Sequence, residues 1–420
     1  MSGEDNPMSS FWRAALAGFS ALFMLQACGQ QGGDTRDLTD ADREYQHVLM
    51  EALLDAQEGS VIELPAGVFI IERGLSLANV DDVTIRGAGL DETVLSFAEQ
   101  RAGAEGLLVT SADNFTIEDL AIEDSIGDAL KITGSENVII RRVRTEWTSG
   151  ASTDNGAYGI YPVLTTNVLI EESVAIGASD AGIYVGQSDN IVVRNNRAEY
   201  NVAGIEIENS MNADVYGNTA THNTGGILVF NMPNLPRPGH GTRVFDNDVF
   251  ENNTRNFGHE GTPVANVPAG TGILVNSNDD VEIFDNRVSN NRTANVIISS
   301  LHSAGFSELG VESDFDPYPE RIHIHSNSFE GGGNNPDGMD LQALRIALFG
   351  PTGRIPDVLW DGYVNADRMV DGALPDDLRL CVSGAQVLNA DGPGDYGNPR
   401  VATDEHDCSH EPREAVELPF

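Results

Sequence analysis

Gly182-Ile183-Tyr184-Val185, Gly204-Ile205-Glu206-Ile207, Gly226-Ile227-Leu228-Val229 and Gly272-Ile273-Leu274-Val275 are four copies of one short pattern. Looser copies precede them at Gly106-Leu107-Leu108-Val109, Ala129-Leu130-Lys131-Ile132 and Gly159-Ile160-Tyr161-Pro162. The apolar second residue falls at 107, 130, 160, 183, 205, 227 and 273, giving steps of 23, 30, 23, 22, 22 and 46. The basic period is 22 to 23 residues, with insertions in the steps of 30 and 46. A second phase runs as Val193/Asn196, Val215/Asn218, Val244/Asn247, Ile283/Asn286 and Ile324/Asn327, and asparagine returns five residues later at Asn201, Asn223, Asn252 and Asn291. Each unit therefore holds short alternating strands between Asn/Gly turns and has no room for a helix. One unit cannot bury its own apolar face. Stacked at about 4.8 Å per turn, the Ile and Val of successive units make one continuous core. The recurring asparagines then form ladders along the turns. The pattern predicts an all-β parallel β-helix solenoid of roughly ten turns.

Both ends read as caps. Tyr45 to Ala56 has helical periodicity through Val48, Leu49, Ala52 and Leu53, which an open terminal rung needs as cover. With Gly59 to Phe69 and Val83 to Gly89, it resembles the N-terminal cap of pectate-lyase-like right-handed β-helices. Residues 45–330 are thus read as the capped β-helix. After Gly331-Gly332-Gly333 the character changes: Met339 to Leu348 looks helical, and a Pro/Asp/Gly-rich remainder makes 331–420 a C-terminal cap and tail. The stretches Tyr158–Pro162, Ser179–Ser188 and Asn201–Asn209 resemble a family of bacterial β-helix repeat lipoproteins without an established activity. Genes of that family often lie beside one for a secreted cytochrome-like protein, so the resemblance implies an envelope redox protein as one possible partner.

The chain carries 65 acidic and 24 basic residues, a net charge of −41, and Lys131 is its one lysine. Phosphate binding needs a basic stripe, so nucleic acid is excluded as a partner. An anionic leaflet is excluded for the folded body on the same ground. Ala14 to Leu25 is an apolar run too short to span a bilayer and suited to a signal peptide. It ends in Leu25-Gln26-Ala27-Cys28-Gly29, which resembles a bacterial lipobox. That resemblance implies cleavage of 1–27, a lipid on Cys28, a flexible tether over 28–44, and a place at the outer membrane. Two cysteines remain, Cys381 and Cys408; in an oxidising envelope they can pair and close a loop of about 28 residues, worth roughly 3 to 4 kcal/mol.

Chemistry is sought on the outward positions. If Ile183 and Val185 point inward, Tyr184 points out, and one column reads Leu108, Lys131, Tyr161, Tyr184, Glu206, Leu228, Leu274. Aromatic platforms beside a base and an acid suit a sugar-binding groove. The leading reading is a lipid-anchored envelope protein, without an assigned activity, that binds a glycan or protein partner along this face; the alternative is a lyase or uronate epimerase acting on an acidic polysaccharide, with Lys131, Tyr161, Tyr184 and Glu206 as its catalytic candidates. A second set, Asp154, Asp180 and His240 (in Gly239-His240-Gly241), resembles polygalacturonase-type glycoside hydrolases. It departs from them: Ser152-Thr153-Asp154 stands where Asn-Thr-Asp belongs, Asp180 has no acidic neighbour, and no Arg-Ile-Lys follows. Alginate epimerases of this fold carry Asp-Pro-His-Asp; Tyr161-Pro162 and Asp316-Pro317-Tyr318 lack the histidine. No cofactor is required by any motif. Calcium is a possible one, with Asn278-Asp279-Asp280 or Asp391 with Asp395 as holders. A bound cation would also ease the repulsion between so acidic a chain and a polyuronate. The insertions Met232–Gly241 and Asn253–Gly270 are read as groove walls beside Glu206, Glu208, Leu228 and Leu274.

Overall fold

The structure, a computed structural model, describes residues 38–304 and 315–420. The apolar run and Cys28 lie outside the described residues. From Val61 onward the chain winds as a stack of turns, each made of two longer strands and one short one. Leu130–Thr133, Tyr158–Val163, Ala181–Gly186, Ala203–Glu208, Gly225–Phe230, Thr271–Asn276 and Ala294–Ser299 lie side by side in the first sheet, which has twelve strands in all. The second sheet has nineteen, because the short strands continue it around the corner. Neighbours pair in parallel, as Ile183 with Ile205 and Ile205 with Ile227. A parallel return within one sheet is right-handed, and the solenoid is a right-handed parallel β-helix.

Alternation builds the core. Ile183, Val185, Ile205, Ile207, Ile227 and Val229 face the axis and are fully buried, and the same kind of register runs through Val168, Ile191 and Ala213 in the second sheet. Asparagines line the corners as internal ladders. The Asn218 amide oxygen accepts from the Asn196 backbone N–H at 2.9 Å and from its Nδ2 at 3.0 Å, while Asn218 Nδ2 donates to the Val193 carbonyl at 2.9 Å. The second ladder repeats this through Asn201, Asn223, Asn252 and Asn291. The backbone groups at these corners thereby receive partners inside the core. A third ladder on the outside joins Asn114, Asn137, Asn167 and Asn190, all in left-handed backbone.

The helix at the N-terminal end spans Asp40–Leu54, five residues ahead of the periodicity at Tyr45. A reciprocal Thr39/Asp42 capping box starts it, a signal the apolar spacing does not contain. Leu49 and Leu53 cover the first rung, whereas Val48 faces solvent. At the other end Met339–Phe349 is helical, and the following segment also supplies rungs: Val358–Trp360 and Val387–Asn389 extend the first sheet, Leu380–Val382 the second. Arg400–Val401 then closes the first sheet's last edge in antiparallel fashion. Cys381 and Cys408 form a disulfide, from which the tail runs back over the second sheet: Arg413 N donates to Glu282 and Val416 N to Asp214.

Candidate functional site

The outward column of the first sheet holds Leu108, Lys131 and Tyr161 in direct register, then Tyr184 beside Glu206, Leu228 and Leu274. Tyr161 and Tyr184 meet edge to face with centroids 5.0 Å apart, and Tyr158 packs against both at 4.4 and 4.7 Å. Lys131 Nζ lies 4.6 Å from the Tyr161 ring centre and 3.4 Å from Asp128. The far half of the column is not a solvated ladder. Tyr184 is 4% exposed and Glu206 1%.

The cover comes from the two insertions. Val264 and Val267 of the longer one join Tyr184, Ala203 and Leu228 in an apolar cluster outside the main core, to which Leu235 of the shorter one and Phe257 are packed. Thr153 Oγ donates to the Phe257 carbonyl at 2.8 Å, so the loop reaches back across several turns to the Asp154 segment. Beyond Leu274 the same face opens into a largely apolar cavity of about 70 Å³ lined by Phe230, Val267, Leu274, Ile297 and Leu344, among others.

Three carboxyl groups sit under this cover. Glu208 is two residues beyond Glu206 and therefore on the same face. Its Oε1 accepts the Tyr184 hydroxyl at 2.7 Å, and Gln187 Nε2 donates to that hydroxyl at 3.1 Å. The Tyr184 ring reaches Glu208 by lying across Gly186: a Cβ there would stand 2.3 Å from the ring. Asp180 is buried just before the strand that carries Tyr184, beside Tyr158. Glu206 Oε2 has no hydrogen-bond partner. Burial raises all three carboxyl pKa values, and mutual repulsion adds to it for Glu206 (from Glu208 and Asp180) and for Asp180 (from Glu208 and Asp128). The Tyr184 hydrogen bond partly offsets the rise at Glu208. The group therefore holds protons near neutrality rather than three full charges. Burial also raises the phenols: Tyr161 to about 12, Tyr158 and Tyr184 further, helped by the nearby carboxylates. These hydroxyls are donors here, not bases.

The second candidate set is not assembled. Asp154 is exposed in its turn, Asp180 is buried among tyrosines, and His240 lies on His240–Phe245 in the other sheet, paired with Met211. The corner that separates the two sheets separates the histidine from both aspartates. That correction removes the hydrolase-type trio. The Asn278-Asp279-Asp280 string is also divided: Asp280 pairs with Arg321 at 2.9 Å and with Arg413, while Asp279 turns toward Asp316 and Glu320, both held by Arg368. In the other calcium candidate, Asp391 Oδ2 accepts the Asn398 N–H at 2.9 Å and closes its own loop.

Sequence reasoning left Tyr158, Asp128 and Gln187 out of the site and gave Glu208 only a place beside the loops. Alternation could have found Glu208; Tyr158 and Asp180 enter through the bend that leads into each strand, where alternation is broken.

Residues 66–236 match the family model described as a right handed beta helix region. No curated protein matches the chain. The A-module of mannuronan C-5 epimerase AlgE4 from Azotobacter vinelandii is similar in structure, with a TM-score of 0.51 and 21% identity over 71% of this chain and 86% of that one. The AlgE6 A-module of the same organism gives 0.47 and 18% over 77% and 87%. An α-1,3-glucanase catalytic unit from Streptomyces thermodiastaticus gives 0.41 and 16% over 79% and 49%. At such identities the likeness is one of fold. The chain is a right-handed parallel β-helix protein whose residues 66–236 carry the signature of that repeat.

Proposed function

We propose that this protein binds an acidic polysaccharide on the outer face of its first sheet, at Lys131, Tyr158 and Tyr161, with Glu208 and Tyr184 as the proton-handling pair behind them. One observation carries the reading: the only lysine of the chain, three packed tyrosines and the carboxyl groups of Asp180, Glu206 and Glu208 converge on neighbouring turns of the first sheet's outer face. Lysine meets a uronate carboxylate and tyrosine faces meet sugar rings. A carboxyl group drawn toward neutral pH is matched to removing or returning a proton next to such a carboxylate. Lyase and epimerase chemistry both begin with that step, and Glu208, rather than a tyrosine, is the base this site favours. We further place the protein at the bacterial outer membrane, held by a lipid on Cys28, on the strength of the Leu25–Gly29 motif.

The test is electrophoresis through gels cast with alginate, pectate or a neutral glucan, with and without calcium, beside product analysis by ultraviolet absorbance and proton NMR. Retardation by an acidic glycan, lost in Lys131→Ala and Tyr161→Ala, is the expected result. Glu208→Gln should retain binding while abolishing any unsaturated or epimerised product. Free migration in every gel would overturn the proposal.

A further inference from the structure

We propose that Glu282, His323 and His325 form a binding site for a borderline divalent metal ion of the Zn(II) and Co(II) class on the outer face of the second sheet, away from the tyrosine column. Val281–Phe284 and Ile322–His325 are parallel neighbours with Glu282 opposite His323 and Phe284 opposite His325. Val281, Ile283, Ile322 and Ile324 point into the core, so Glu282, His323 and His325 all project outward together. One donor atom from each lies within 4.8 Å of the other two. His325 Nε2 is 3.1 Å from Glu282 Oε1, and the His323 and His325 rings are 4.3 Å apart.

The second observation is an unsatisfied atom. His323 is 8% exposed, and its buried Nδ1 has no partner. Leaving such a nitrogen unbonded is costly, and a metal ion is a partner that uses its lone pair. Two imidazoles and one carboxylate suit first-row borderline ions; calcium and magnesium prefer oxygen alone.

The surroundings support the ring positions. Phe284 stacks on His325 at 5.3 Å. One turn beyond His323 stands Cys381, whose disulfide to Cys408 brings the tail over the cluster. His410 packs edge-on to His323 at 5.8 Å, and its Nε2 donates to the Arg379 carbonyl, which leaves Nδ1 as an acceptor. Glu282 Oε2 accepts the Arg413 backbone N–H at 3.1 Å, orienting the carboxylate. A small cavity of about 10 Å³ is lined by Glu282, His323, His410 and Glu411 together with Asp280, Arg321 and Arg413. Both guanidinium groups are paired with Asp280, whose carboxylate offsets part of their charge toward a cation. The Asp279, Asp316 and Glu320 cluster lacks this property, since Arg368 already occupies it.

The test uses the chain purified without a histidine tag, stripped with chelator, and titrated with Zn(II) by calorimetry and with Co(II) by visible absorption. Expected are one equivalent of Zn(II) bound with Kd in the micromolar range or tighter and Co(II) bands of a low-coordinate site. His323→Ala and His325→Gln should each weaken binding at least tenfold, while His47→Ala, on the N-terminal helix, should leave it unchanged. Circular dichroism melts identify a variant that does not fold. Should His323→Ala be one, His325→Gln, at a side chain 25% exposed, decides. No saturable binding of either ion, or equal affinity in the wild type and the folded variants, overturns the proposal.

Discussion

Glu206→Gln keeps the shape of a buried side chain and deletes its ability to ionise. Glu206 is 1% exposed, one of its oxygens is unpartnered, and two other carboxyl groups crowd it. Its folded-state pKa lies above the unfolded value, so the folded protein holds a proton that the unfolded chain releases. Such a group leaves stability intact below the unfolded pKa near 4.5 and costs increasingly as pH climbs toward the folded value. Its neighbour Asp180 is displaced in the same direction, and for the same reasons of burial and like charge. Ionising a buried group without a partner costs at least what a buried unsatisfied polar group does, and glutamine still buries an amide, so a gain of about 2 to 3 kcal/mol at pH 9 is expected for Glu206→Gln. At pH 5 the difference should be within about 1 kcal/mol. Guanidinium midpoints of wild type and variant at both pH values, in high salt to screen the acidic surface, give the comparison. A variant that is less stable than wild type by the same amount at pH 5 and 9 would refute the reasoning, because it would mean Glu206 is held as an anion by a cation.

Asn218→Ala should cost roughly 3 to 5 kcal/mol, because the Asn196 N–H and the Val193 carbonyl lose their partner inside the core; Asn190→Ala on the outer ladder should cost about 1 kcal/mol, and denaturant melts separate the two. Cys381→Ser should lower stability by about 2 to 4 kcal/mol, with hydrogen exchange speeding up first in the tail around Cys408. Tyr184→Phe removes the hydroxyl donated to Glu208 and should raise that carboxyl's pKa above about 7, visible as a protonated-carboxyl infrared band persisting to higher pH. Thr39→Ala opens the capping box and should cost about 1 kcal/mol, read as earlier melting of the N-terminal helix.

The inward Ile and Val at period 22 to 23 and the asparagines in the second phase carry the architecture openly, since each lies at a position where only stacking gives it a use. The outward column is legible for the same reason: alternation places Lys131, Tyr161, Tyr184 and Glu206 from Ile183 alone. Cover is not legible. Whether Glu206 meets water depends on where Val264 and Val267 land, and a loop's path has no period. The His323/His325 pair was hidden because its partner Glu282 is 41 positions earlier, across an insertion, and the tail that covers it returns from 88 positions later with Glu411.

The internal ladders also decide what this scaffold tolerates over evolutionary time. Asn196, Asn218, Asn247, Asn286 and Asn327 touch in sequence although 22, 29, 39 and 41 positions separate them along the chain. Neighbouring turns are indexed by their amides, and loop length is left out of the indexing. A duplicated turn or a lengthened corner can therefore be inherited without renegotiating the barrel beneath it. New walls over the tyrosine face are the kind of variation such a lineage can try first.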